Sequence, residues 1–132
     1  MRTRQTLTMT DVKNMMAACE AKAATNKWAV AISIVDDGGF LLSFTRMDGA
    51  PAITAEVSIG KARASAMTKR PSKFFEDRIK ERPAFLNFPA GILLQGGVPV
   101  LYQGECVGAI GVSGVQSHED EEVAQAGASA IG

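Results

Sequence analysis

The sequence predicts an α+β fold, a five-stranded antiparallel sheet flanked by helices in the order α-β-β-α-α-β-β-β-α. Three observations predict it. Residues 28–47 and 96–114 each hold two alternating segments folded back by a glycine-containing turn, which is the mark of a β-hairpin. Residues 10–25, residues 52–67 and the stretch after Ser117 place apolar or small side chains at helical spacing. Consecutive strands joined by short turns are antiparallel, and helices between them cover the sheet.

Residues 10–25 form the first helix, with Thr8 and Thr10 as candidate caps and Asp11 in the first turn. Val12, Met15, Met16, Cys19 and Ala23 make its apolar stripe. In residues 28–36, Val30, Ile32 and Ile34 share one face, and Asp36-Asp37-Gly38-Gly39 supplies the turn. Residues 40–47 return as the second strand, broken by Asp48-Gly49-Ala50-Pro51. The second helix follows over residues 52–67. Its stripe is Ile53, Val57, Gly60, Ala64 and Met67, in a run rich in small residues that suits close packing on a sheet.

Pro71 ends that helix and Ser72 caps a short third one anchored by Phe74, Phe75 and Ile79. Residues 82–89 read as irregular, with Phe85, Leu86 and Phe88 forming a lid or a subunit contact. Residues 92–95 read as a short strand leading into the glycine-rich hairpin, whose turn is Gln103-Gly104. Both faces of residues 107–112 are apolar or small, so this strand belongs in the middle of the sheet. Ser117 and Asp120 form a capping-box-like pair that opens the last helix.

The chain has 132 residues, enough for one domain with its own core. A formal net charge of +0 argues against a general nucleic-acid binder. The charge is uneven, however. Basic residues dominate from Lys61 to Arg82, no Lys or Arg follows Arg82, and Glu119 to Glu122 are all acidic. These are either solvated faces or complementary surfaces of a subunit contact. Cys19 and Cys106 lie in apolar segments and read as buried free thiols. No apolar run is long enough to span a bilayer, and no apolar signal core follows Arg2 and Arg4, so the expected setting is cytoplasmic.

Candidate chemistry is sparse. His118 is the only histidine and the weak candidate for a metal or haem ligand, against the commoner case of an exposed histidine. Lys61 lies among small residues, where an inward amine needs a partner or a ligand anion and an outward one is merely solvated. Arg46 and Asp48 flank a strand end, as a ligand clamp or as a surface pair. Gly96-Gly97 opens space for a ligand or a neighbouring backbone but is not a dinucleotide fingerprint. Ser113-Gly114 before a helix resembles an anion site, which the four following acids oppose.

Several segments taken together resemble the GlcG/HbpS family, also called the haem-degrading or DUF336 family, which includes the C-terminal domain of PduO-type adenosyltransferases. They are AISIVDDGG (Ala31 to Gly39), RMDGAP (Arg46 to Pro51), GKARAS (Gly60 to Ser65), GGVPV (Gly96 to Val100), GAIGVSG (Gly108 to Gly114) and HEDEEVAQAG (His118 to Gly127). The resemblance covers nearly the whole chain in order. It implies an antiparallel sheet flanked by helices, and homo-oligomers such as tetramers or octamers. Haem-binding members carry histidine ligands on or near the first helix. Here no histidine precedes His118, so no haem ligand is carried over.

Three functions follow as expectations. The first is a homo-oligomer binding a small ligand, haem or a catabolic intermediate, through Arg46, Asp48, Lys61, Gly96 and Gly97. The second is a cofactor-independent lyase, isomerase or hydrolase, with Lys61 as base or carbonyl partner and Arg46 as carboxylate clamp. The third is an accessory subunit without pocket chemistry.

Overall fold

Gln103 and Gly104 take φ of 50° and 81°, the left-handed pair that closes a two-residue hairpin with the twist of its strands. They join β3 (Gly97–Tyr102) to β4 (Glu105–Ser113) in a computed structural model that describes residues 1–131. Before the hairpin come α1 (Met9–Thr25), β1 (Ala31–Asp36), β2 (Leu41–Arg46), α2 (Ile53–Thr68), α3 (Ser72–Glu81) and a 3₁₀ turn (Pro83–Asn87). After it comes α4 (Ser117–Ala128). The sheet order is β2-β1-β4-β3 and all pairs are antiparallel. β4 is central, as its two apolar faces require.

The described residues contain four strands rather than five. Residues 92–95 pair with no strand. The Ile92 N–H bonds the Gly60 carbonyl of α2 at 3.0 Å, and the Ile92 side chain fills the notch that Gly60 leaves. A Cβ on Gly60 would lie 2.5 Å from Ile92 Cγ1. The left-handed Gly91 and Gly96, at φ of 105° and 134°, bend the segment across the helix and then into β3. A short apolar run that looks like a strand is thus a strap over α2.

The sheet separates two layers. On one face, Ile32, Ile34, Val98, Val100, Ile110 and Val112 pack with α1 and α4 into the main core. On the other, α2 lies close against β4, β1 and β3, because Gly97 and Gly111 present no side chain to it. Its buried side chains are small or polar, including Ser58, Ala62, Ser65 and Ala66. Ile53 and Met67, both in the apolar stripe read from the sequence, point outward. A short third layer is built on Phe75, Ala90 and Leu93 against Ala64, with Phe85 packed beside it.

Both cysteines are free. Cys19 is completely buried and its thiol is pushed up to about 12 by desolvation. Cys106 is half-buried, its thiol also raised by burial. Iodoacetamide treatment of the native protein should therefore modify Cys106 slowly and Cys19 only after denaturation. Peptide mass spectrometry checks this, and rapid native labelling of Cys19 would contradict the packing.

Candidate functional site

Lys61 is an internal residue, 3% exposed. It leaves the sheet-facing side of α2, passes Gly96 and reaches the end of the sheet. There its Nζ donates to the Val112 carbonyl at 3.0 Å and to Asp120 Oδ2 at 3.1 Å. Asp120, at the start of α4, is equally buried, and its Oδ1 accepts the Val115 N–H at 3.1 Å. Burial raises the Asp120 carboxyl above its ordinary range, against the pull of the Lys61 charge and of these hydrogen bonds. The pair joins α2 on one face to α4 on the other.

The two glycines make this link possible. A Cβ on Gly96 would sit 2.7 Å from Lys61 Nζ and 2.7 Å from the Val112 oxygen. A Cβ on Gly97 would overlap the Lys61 carbonyl oxygen. The Gly97 N–H bonds Ser72 Oγ at 2.9 Å, and that hydroxyl donates to Leu94 O. Ser72 therefore anchors the strap to α3 rather than capping the helix, whose N-cap is Pro71. Likewise α4 is capped by Gln116 in a box with Glu119, not by Ser117 with Asp120. Asp120 is drawn inward instead, because Lys61 is there to meet it. The N–H groups near Gly114 thus face the chain's own carboxylates, which fills the place of an external anion.

Arg46 and Asp48 stand elsewhere. They lie in and just after β2, at the opposite edge of the sheet from Gly96 and Gly97. A shallow recess holds them with Lys27, Trp28 and Met47; Lys61, Gly96 and Gly97 take no part in it. β2 is two strand spacings from β4, roughly 10 Å. The five residues singled out in the sequence thus fall into two groups. His118 is exposed in the first turn of α4. Among the described residues no group of three or more His, Cys, Asp or Glu side chains could hold a metal ion. No helix among them is long and apolar enough to cross a membrane.

A hollow of about 430 Å³ with a mixed lining lies at the foot of α1. Thr8, Asp11, Asn14 and Tyr102 offer hydrogen-bonding groups to it, and Leu7, Val107 and Ile131 give it an apolar side. Three parts of the chain that are remote in sequence meet here. Leu7 is held because Gly108 makes room; a Cβ there would lie 2.7 Å from Leu7 Cδ1. Thr8 and Asp11 are fixed by a capping box, with the Thr8 N–H and hydroxyl each 2.9 Å from Asp11 Oδ2. Those hydrogen bonds hold the Asp11 carboxyl below its ordinary value. Sequence reasoning found Thr8 and Asp11 only as helix-capping residues and did not single out Asn14 or Tyr102. The one signal available was that a capping box supplies oriented polar groups at a helix start.

Comparison with known proteins agrees with this architecture. The family model described as "Haem degrading protein HbpS-like" matches residues 7–129. Protein GlcG of Escherichia coli (strain K12) is 40% identical over 114 residues, covering 86% of this chain and 85% of that protein. A crystal structure of a double mutant of Streptomyces reticuli HbpS superposes with a TM-score of 0.92 at 28% identity, covering 100% of this chain and 91% of that one. A structure titled as a PduOC–heme complex shares the fold with a TM-score of 0.88 at 23% identity, over 96% of each chain. With a family model spanning nearly the whole sequence and a relative at this level of identity, the chain belongs to the HbpS-like family.

Proposed function

We propose that this chain is a homo-oligomeric binding protein that takes a small organic molecule in the hollow at the foot of α1. The observation that carries the reading is the hollow itself. At about 430 Å³ it falls within the usual size of small-molecule sites, roughly 300–1,000 Å³. It also combines convergent polar groups with an apolar side. Asp11 is its one charged side chain, and hydrogen bonding keeps that carboxylate ionised. Such a site favours a neutral or cationic ligand and repels an anion.

Haem is the obvious first probe, from the family's description and from the titled complex of a structural neighbour. The lining residues do not fit it. Tyr102 is the one lining side chain of a kind that ligates haem iron, no histidine, cysteine or methionine joins it, and no Lys or Arg stands there to meet two propionates. Homo-oligomerisation, as a tetramer or octamer, is supported by family membership and by the outward apolar side chains of α2. A cytoplasmic setting is supported by the two free thiols. The enzymatic alternative needs Lys61 and Arg46 on one substrate, whereas the amine is buried against Asp120 and the guanidinium lies in a separate recess.

A thermal-shift screen of small polyols, amines and carboxylates, with haemin followed at its Soret band, tests the binding reading. Ligand at about 100 times its Kd should stabilise the fold by about 2.7 kcal/mol. Neutral or cationic compounds should raise Tm in the native chain and much less in Asn14→Leu. Stabilisation by carboxylates or haemin alone, or equal shifts in both proteins, would overturn it.

A further inference from the structure

α2 buries its small side chains and exposes its large ones. Ile53 is 62% exposed and Met67 48%, while Ser58, Ala62 and Ser65 are inside. Beside the helix the sheet is bare. α2 covers β4, β1 and β3 but meets β2 only at its margin. Leu41 and Phe44 stand on that same face, because they pair with Val35 and Ser33. Val35 packs on Ala62 and Ala66, and the Ser33 hydroxyl bonds Ser58 at 2.7 Å. Leu41 is 49% exposed and Phe44 38%. A strip of apolar sheet therefore runs alongside an apolar helix ridge.

The charges on the ridge suit a second copy of the same helix. Glu56 and Arg63 are exposed on the same outward side of α2 and form no ion pair among the described residues. They are seven residues apart, about two turns. Ile53 and Met67 are fourteen apart, and both pairs are centred beside Gly60, where the half-buried Ile92 crosses the helix. A second copy related by a two-fold axis at that centre brings Ile92 near its own counterpart and sets Ile53 toward Met67 and Glu56 toward Arg63 at both ends at once. A two-fold relation between identical chains gives this match, since the patch is then complementary to itself.

We infer that α2 and the bare side of β2 form an isologous interface in which a second copy's α2 lies antiparallel to the first and covers Leu41 and Phe44. This inference rests on the homo-oligomer reading above and names the surface that makes it. The Glu56 carboxylate of each chain meets the Arg63 guanidinium of the other at the rim, and the apolar strip between them is closed from water.

Light scattering after size exclusion, across a dilution series, tests it. Arg63→Glu and Glu56→Arg alone each place like charges together at both ends and should weaken association about tenfold or more. Arg63→Glu with Glu56→Arg in one chain restores the opposite pairing and should recover assembly. Phe44→Lys should dissociate the chains without rescue by the double exchange. If the native chain assembles and none of these variants changes its mass, the interface lies elsewhere while the oligomer reading stands. A double exchange that stays as dissociated as the singles overturns the antiparallel match. A native chain that is monomeric throughout overturns both readings.

Discussion

Replacing Lys61 by Met should destabilise the fold by about 3–5 kcal/mol, the range for removing one partner of a buried ion pair. The loss comes from what is left behind. Asp120 is 2% exposed, and without the amine its Oδ2 keeps no partner while its charge stays out of water. The Val112 carbonyl loses a donor as well. The pair itself contributes far less, because two desolvation penalties offset most of its attraction. Changing Asp120 to Asn in the Lys61→Met chain should therefore recover part of the loss. Urea unfolding of the native, single and double variants measures this. A Lys61→Met chain within about 1 kcal/mol of the native protein, as expected of a solvated surface lysine, would contradict the burial described above.

The second large effect is expected at Gly111. A Cβ there would overlap the Ser58 carbonyl oxygen and the Ala62 amide nitrogen, both main-chain atoms of α2. Backbone cannot swing aside as a side chain can, so Gly111→Ala must push the helix off the sheet. Forcing even one methyl into a filled core costs about 1–3 kcal/mol, and here it also strains the bond between the Ser33 and Ser58 hydroxyls. The hairpin turn provides the contrast. A Cβ on Gly104 would touch nothing within 4 Å, so Gly104→Ala meets only the penalty of its left-handed φ of 81°, about 1–2 kcal/mol. Thermal unfolding of the two variants should rank Gly111→Ala as the more damaging. The reverse order would mean that α2 rides on the sheet more loosely than its contacts indicate.

These two residues also show what the chain discloses before folding. The placement of β4 was legible, because a strand apolar on both sides has to be covered on both sides. The small residues around Lys61 were legible as a sign of close approach, but its partner was not. Asp120 is 59 residues away and looked like part of a helix cap. Its true role depends on α4 starting at the end of the sheet where Lys61 emerges. The fifth strand failed for a related reason. Ile92 to Gln95 has strand-like composition, and only the notch at Gly60 reveals that the segment crosses a helix. Arg46 and Asp48 were grouped with Lys61 because strand ends gather ligands. The order β2-β1-β4-β3 puts them at the other edge, and that order comes from packing rather than from any local signal.

The Lys61–Asp120 link has a consequence for how the molecule comes apart. In a sheet with helices on both sides, either helical layer can ordinarily peel away while the other stays seated. Here a tether runs around the rim of the sheet, from the helix on one side to the first turn of the helix on the other, and it is also fastened to the carbonyl of the central strand. Lifting either helix alone separates Lys61 from Asp120 before both are in water, so opening one layer costs more than the packing it loses. The two layers should hold and fail as one cooperative unit.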